Sequence, residues 1–218
     1  PLLGCTTAGQ FTTEHLGRSS VVVLAVASNV IRFRVGVGRG VRDAQHEAVG
    51  QALAGWQQAR ETAQAEGLPH LTCFVCTDGL AGRGEELVET IHAATGGQAQ
   101  IVGGAAADDA LFERTLVFVD GEIHTDAVAV ACAASRSPVG LGVRHGLNAA
   151  CDSMLVTEAA GYVRLGIGVK GGRLKGMEQR HQKLSMRCLG DSKSFGEVII
   201  IVKRGSRSST ARAKLSGW

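Results

Sequence analysis

The sequence predicts a protein of the α/β or α+β class, in which a mixed β-sheet is layered with helices. Short apolar runs of strand type are interleaved with segments of helical period. Apolar residues occupy 44% of the 218 positions, which is enough to form a sizeable core. Glycine occurs 30 times, and this high share favours turns and close backbone contacts over a helical bundle.

The first part of the chain predicts three strands followed by a long helix. Residues 2–8 are typical of a strand that runs into a Thr-rich turn, and the continuous apolar run 21–27 is typical of a buried strand. Residues 31–37 alternate between apolar and polar positions, as a half-buried strand does. Further along, apolar residues recur at helical spacing, so we expect a helix that begins at Asp43 and ends at Gly67.

The middle of the chain predicts a strand–helix–strand unit. Residues 71–76 favour a strand, residues 85–95 have helical period, and residues 100–102 favour a short second strand. Gly96 and Gly97 are placed where they would end the helix. Four apolar residues are expected on its inward face, namely Leu87, Val88, Ile91 and Ala94.

The C-terminal part of the sheet is predicted to be antiparallel. Residues 115–119 and 122–133 flank the pair Asp120 and Gly121, which accepts the positive φ angles of a type I′ turn and therefore predicts a hairpin. Residues 139–145 alternate again and favour a further strand. The helices are thus expected to end before the last strands begin.

The balance of charge changes abruptly along the chain. Residues 1–150 contain ten Lys and Arg against fifteen Asp and Glu, a net charge of −5, whereas residues 151–218 contain thirteen against five, a net charge of +8. Glycines also interrupt every apolar period in the basic part. We therefore predict a domain at 1–160 and a basic tail at 161–218 that is poorly structured, either disordered or an artefact of the reading frame.

Cysteine usage and hydropathy indicate a cytoplasmic protein. No stretch approaches the roughly 18 apolar residues of a membrane span, and no signal peptide is recognisable. The six cysteines lie mostly inside apolar runs, as reduced core cysteines do. Cys73 and Cys76 form a CxxC pair, but residues so spaced face opposite sides of a strand, so we expect no metal and no cofactor there.

Candidate functional residues follow glycines at two strand ends. The sequence "IVGGAAADDALF", residues 101–112, carries two adjacent carboxylates, Asp108 and Asp109. The sequence "GCTTAGQF", residues 4–11, carries the hydroxyls of Thr6 and Thr7. Glycines at a strand end let a ligand approach the backbone, so these residues predict a polar binding site, although an aspartate there also caps turns.

Two other function classes remain open from the residues alone. The chain would be a hydrolase or transferase if Cys5 were a nucleophile activated by a base such as His145, or if Asp108 and Asp109 served acid–base chemistry. It would be a nucleic-acid-binding module if the basic tail contacted phosphates, although no aromatic platform accompanies that tail. We favour neither alternative and expect a protein that is not an enzyme.

The ordered set "GCTTAGQF", "IVGGAAADDALF" and "GVRHG", residues 142–146, resembles the FIST N-terminal domain over about residues 2–160. The resemblance implies a cytoplasmic, non-catalytic sensor of signal transduction whose suggested ligands are amino acids. It also implies a FIST C-terminal domain and a signalling output partner, both absent from this chain. The strand and helix that should precede "GCTTAG" are missing, and the basic tail replaces the family's continuation after residue 161.

The resemblance and the strand-end pattern together give one set of ligand-binding residues. One aspartate is expected to face the ligand and the other to cap the turn, while the threonines complete the polar shell if their strand lies beside the strand that ends at Val102. The set consists of Thr6, Thr7, Gly103, Gly104, Asp108, Asp109 and His145.

Overall fold

The computed structural model describes residues 1–12, 14, 16–17, 19–109, 111–144, 154–160, 163–169, 172–173, 197–204 and 207–211. The helices are α1 (Gln45–Ala52), α2 (Trp56–Ala65) and α3 (Gly84–Ala94). The first strands are β1 (Leu3–Cys5), β2 (Gln10–Phe11), β3 (Leu16–Gly17), β4 (Ile31–Arg39), β5 (His70–Thr77), β6 (Ala99–Ala105), β7 (Val117–Val119) and β8 (Glu122–His124). The remaining strands are β9 (Ala127–Ser135), β10 (Gly140–Arg144), β11 (Met154–Ala160), β12 (Val163–Val169), β13 (Gly172–Arg173), β14 (Glu197–Arg204) and β15 (Arg207–Ala211).

The main sheet has four strands in the order β4-β9-β5-β6. Strand β9 pairs antiparallel with both β4 and β5, whereas β5 and β6 are parallel and are joined by helix α3. The sheet is therefore mixed and layered with helices, which confirms the predicted fold class as α+β. None of the described helices has the length and apolarity that crossing a membrane requires.

The two faces of the main sheet are covered by different layers. On one face the three helices form a core with side chains such as Val49, Trp56 and Ile91 packed against Cys73 and Val130. On the other face a small sheet, ordered β1-β7-β8, contributes a second core. That second core contains Val117, Val119, Ala127, Ala129 and Ala106, with Leu3, Cys5, Val35, Val37 and Cys76 packed against it.

Two glycines of β4 let helix α1 lie close to the sheet. A Cβ added at Gly38 would overlap the carbonyl oxygen of Ala48, and one added at Gly36 would overlap that of Ala52. Their neighbours on the same face, Arg32 and Arg34, are exposed because α1 does not extend over them. The glycines of this strand therefore set the distance between helix and sheet.

The predicted helix from Asp43 to Gly67 is wrong as one element, because α1 and α2 are separate helices. Gly55 adopts a left-handed conformation with φ of 72° between them, and Arg34 Nη2 donates a 2.6 Å hydrogen bond to the carbonyl oxygen of Ala54. The first helix starts after Ala44 instead of Asp43. Gly67 does end the second helix with φ of 76°, as predicted.

The buried strand predicted at residues 21–27 is wrong, because this segment has no regular structure and lies exposed. Val21 is 87% exposed and Leu24 is 77% exposed. An apolar run favours burial only where a second layer is available to cover it. In the described residues no strand pairs with this segment, so its side chains remain in solvent.

Three other elements are confirmed with corrections. Helix α3 buries Leu87 and Ile91 as predicted, but Val88 and Ala94 are exposed because the apolar stripe is narrower than expected. The first strand spans only Leu3–Cys5. The Asp-Gly hairpin joins β7 to β8, with φ of 49° and 92° at the two turn residues. The predicted strand 122–133 is divided into β8 and β9 by a turn at Asp126, where φ is 46°, and β9 belongs to the main sheet.

The strands beyond β10 belong in part to a second unit. Strand β12 pairs antiparallel with β11 and with β13, and β14 pairs antiparallel with β15. The predicted antiparallel character of the C-terminal part of the sheet is confirmed instead by β7 and β8, which pair antiparallel, and by β9, which is antiparallel to β4 and β5. The predicted boundary at residue 160 and the disorder of the tail remain predictions, and much of 161–218 lies outside the described residues.

We expect Gly38→Ala to lower the free energy of unfolding by about 1–3 kcal/mol, because the added methyl group would push α1 away from the sheet. Urea unfolding followed by circular dichroism measures this change. Gly50→Ala is the matched control, since Gly50 lies in α1 with nothing within 4 Å of an added Cβ. The control should gain about 0.5–1 kcal/mol from reduced backbone entropy. A Gly38→Ala variant as stable as the wild type would contradict the close contact.

Candidate functional site

The predicted site residues lie in loops at the end of the main sheet where β5 and β6 terminate. Because β5 and β6 are parallel, their carboxyl ends, Thr77 and Ala105, meet at the same edge. The loop that follows β6 runs through Asp108 and Asp109 toward β7. Loops at the carboxyl ends of parallel strands are common ligand-binding positions in α/β sheets.

Thr6 fastens the end of β1 to the loop after β6. The backbone N–H of Ala107 donates to the Thr6 carbonyl oxygen at 2.9 Å, and the N–H of Leu116 donates to Thr6 Oγ1 at 3.0 Å. The expected neighbour relation is wrong, because β1 pairs with β7 and not with β6. Thr6 nevertheless contacts the predicted site through Ala107, and its hydroxyl is occupied by backbone groups.

Asp108 holds the turn that follows it. Its Oδ1 accepts the N–H of Phe112 at 3.1 Å, and its Oδ2 accepts the N–H groups of Glu113 at 2.7 Å and Arg114 at 3.0 Å. These backbone donors, that of Arg114 above all, lower the pKa of the Asp108 carboxyl below its usual range. Asp108 is therefore the aspartate with the capping role.

Asp109 has a different environment from its neighbour. Its backbone is left-handed, with φ of 57°, and its side chain is exposed. Within the described part of the chain its carboxylate forms no hydrogen bond and no ion pair. Because Asp108 fixes the following turn, Asp109 projects from an ordered backbone with its oxygens open to solvent.

The remaining predicted residues differ in what surrounds them. A Cβ at Gly103 would overlap the backbone of Val75 on β5, so this glycine is required by strand packing. Gly104 has open space around it, in agreement with an approach path for a ligand. Thr7 is exposed, and its hydroxyl lies 2.6 Å from the side-chain amide of Gln10. His145 lies outside the described residues.

A buried carboxylate that the residue patterns did not single out joins the loops beneath this site. Asp78 is only 6% exposed and accepts three hydrogen bonds, from the N–H of Leu80 at 2.8 Å, the hydroxyl of Thr115 at 2.5 Å and the N–H of Asp126 at 2.7 Å. It thereby connects the end of β5 to the segments before β7 and β9. The available sequence signal was the motif "TDGL", which places an aspartate directly after an apolar strand.

Asp126 extends this hydrogen-bonded frame to the loop after β4. Its Oδ1 accepts the N–H of Arg42 at 2.9 Å, and its carbonyl oxygen accepts the N–H of Gly40 at 2.7 Å. Asp78 in turn holds the Asp126 N–H. Four loops at this end are therefore tied together by two aspartates, which gives the site an ordered base.

The four cysteines among the described residues form two pairs on opposite faces of the main sheet. A hydrogen bond from the Cys76 thiol lowers the pKa of Cys5 to about 7 against the opposing effect of burial, and it raises the pKa of Cys76. On the helix face, Cys73 Sγ lies 3.8 Å from Cys132 Sγ. All four are free thiols, and the predicted opposite orientation of Cys73 and Cys76 is confirmed.

The described residues bear on two of the alternatives considered above, the Cys5 nucleophile and a metal site. The hydrogen-bond partner of the Cys5 thiol is the thiol of Cys76 and not a base, and His145 lies outside the described ranges. Within those ranges no group of three or more His, Cys, Asp or Glu side chains is placed to hold a metal ion. What the loops do present is an exposed carboxylate, Asp109, on a hydrogen-bonded frame, and the exposed carboxylate of Glu113 lies on the same loop.

Comparison with protein-family models matches residues 1–166 to the FIST N domain. The match includes both strand-end sequences, the main sheet and its helices. Comparison with curated proteins gave no match. FIST domains are sensors of signal transduction. Because the match spans more than half of the 218 residues, the chain belongs to the FIST N domain family.

Proposed function

We propose that this chain is the ligand-binding part of a cytoplasmic, non-catalytic sensor that recognises a small molecule bearing an ammonium group, such as an amino acid. The carboxylate of Asp109 is the group that would receive the ammonium. The single observation that carries the proposal is its exposure without a described partner, beside a neighbour whose carboxylate already accepts three backbone hydrogen bonds.

The electrostatics of the two aspartates support this division of roles. Asp108 already accepts three backbone hydrogen bonds, so its capacity is used within the protein. Asp109 retains its capacity, and hydrogen bonds between charged groups are roughly twice as strong as neutral ones. Gly104, which is exposed and open, provides a surface without a side chain near the same loop.

The rigidity of the loops also favours recognition. A carboxylate on a mobile loop would lose conformational entropy when it bound a ligand, and this loss would weaken affinity. Here Asp108 and Thr6 accept hydrogen bonds from the backbone of the loop between β6 and β7. Asp78 accepts one from the backbone of the neighbouring segment before β9. The binding group is therefore held in place before the ligand arrives.

The proposal assigns Cys5 no catalytic role. Its thiol is paired with that of Cys76 in an apolar cluster between the two sheets, a packing position that a small hydrophobic residue would also occupy. Cys5→Ala should accordingly leave ligand binding unchanged. Output would come from a FIST C-terminal domain and a signalling partner, and we expect neither nucleic acid nor a membrane to take part.

Asp109→Asn should weaken the binding of an amino acid about tenfold, because the charge-assisted bond to the ammonium group becomes a neutral one. Calorimetric titration of the full chain with a panel of free amino acids measures the affinity. The same amino acids with acetylated amino groups serve as the ligand control, since they lack the positive charge. If no free amino acid binds the folded chain, or if Asp109→Asn binds like wild type, the recognition role of Asp109 is wrong.

The pH dependence of stability should separate Asp108 from Asp109. The pKa of Asp108 is lowered in the folded state, so its contribution to stability is fully present above its unfolded pKa of about 3.9 and is lost as the pH falls through the lowered value. Asp108→Asn should remove that part of the pH dependence and lower the melting temperature at neutral pH. Urea unfolding across the acid range measures both effects, and Asp109→Asn, which should retain the dependence, is the matched control.

A further inference from the structure

A cavity of about 340 Å³ lies at the opposite end of the main sheet from the aspartates. Helix α2 forms one wall, and the first half of β4 with the last residues of β9 forms the floor. The strand register places Arg32 beside Ala134 at this end, whereas Arg39 pairs with Ala127 at the other. The volume is within the range of small-ligand pockets.

The charged groups of this cavity are mostly cationic. Three guanidinium groups line it, those of Arg32, Arg34 and Arg60, against one carboxylate, Glu66. Arg32 Nε lies 3.2 Å from Glu66 Oε2, and that pair is exposed to solvent. The remaining two positive charges have no carboxylate among the lining residues.

Each of these two arginines donates one hydrogen bond within the protein and has further N–H donors. Arg34 Nη2 donates to the Ala54 carbonyl oxygen at 2.6 Å. Arg60 Nη1 donates to Gln98 Oε1, while its Nε is buried without a hydrogen-bond partner. A guanidinium has five N–H donors in a fixed plane, which suits bidentate contact with a carboxylate or phosphate. An anion would supply acceptors for donors that the protein leaves unused.

The other lining groups are apolar except for Gln58 and Thr62. Trp56, which is 6% exposed, and Phe33, Ala59, Ala63 and Leu71 line the cavity beside the arginines. Aromatic side chains provide large, flat contact surfaces for ligand rings and aliphatic groups. The cavity therefore combines a cationic rim with an apolar wall.

We propose that this cavity binds a small organic anion, one that carries a carboxylate or phosphate group on an apolar or aromatic body. Arg34 and Arg60 contact the anionic group, and the wall containing Trp56 contacts the body. This second site is separate from Asp109 and does not depend on the proposed recognition of an ammonium group. It gives the domain binding positions of opposite charge at the two ends of one sheet.

Tryptophan fluorescence and calorimetry of the full chain with benzoate and phenyl phosphate test the proposal. The chain has two tryptophans, so Trp218→Phe leaves Trp56 as the only reporter. We expect both probes to alter Trp56 emission and to bind at least tenfold more tightly than benzamide, the neutral analogue of benzoate. The tighter of the two probes identifies the anionic group, and inorganic phosphate alone should bind more weakly than phenyl phosphate.

Arg60→Gln should weaken binding of the tighter probe about tenfold or more. Arg39→Gln is the matched control, because Arg39 lies at the far end of β4, is exposed and pairs with Glu122 at 3.7 Å outside the cavity. Circular dichroism establishes folding, and Arg34→Gln, at the other arginine assigned to the anionic group, replaces Arg60→Gln if the latter does not fold. Asp109→Asn should bind the probes like wild type. Absence of binding by the folded wild type, or equal losses in Arg60→Gln and Arg39→Gln, would overturn the proposal.

Discussion

The burial of β9 on both faces is the constraint on which the rest of the structure depends. This strand reads AVAVACAAS and is buried at eight of its nine positions, because helices cover one face and the β1-β7-β8 sheet covers the other. A strand in that position cannot alternate apolar with polar residues. Its alanines keep both layers close, and β4 and β5 take their register from it.

Carboxylates stabilise the loops at the carboxyl ends of β5 and β6, just as small side chains allow close packing in the main sheet. Asp78 and Asp126 satisfy backbone N–H groups that the ending strands leave without partners, and Asp108 does so within its own turn. Buried or crowded backbone donors need acceptors, and a carboxylate supplies two oxygens. The carboxylate of Asp109 meets none of those needs and remains exposed.

Whether the sequence predicts a feature of the fold or the site depends on how far apart in the chain the interacting residues lie. The cap of Asp108 was predictable because its oxygens bond N–H groups four to six residues further along. The network of Asp78 was not, because its partners lie 37 and 48 residues away. The break after α1 likewise depends on Arg34, 20 residues before Ala54. Apolarity alone predicted a buried strand at 21–27, but burial needs a covering layer, which local composition does not specify.

The two ends of the main sheet present groups of opposite charge for a reason that lies in the fold. At the carboxyl end, the loops need acceptors for unpaired N–H groups, and aspartates collect there. At the other end, α1 does not extend over the first residues of β4, where Arg32 and Arg34 line the cavity beside α2 and Arg34 bonds the connection between the helices. The charged groups that complete the fold are thus also the groups on which the two proposed sites depend, one for an ammonium group and one for an anion.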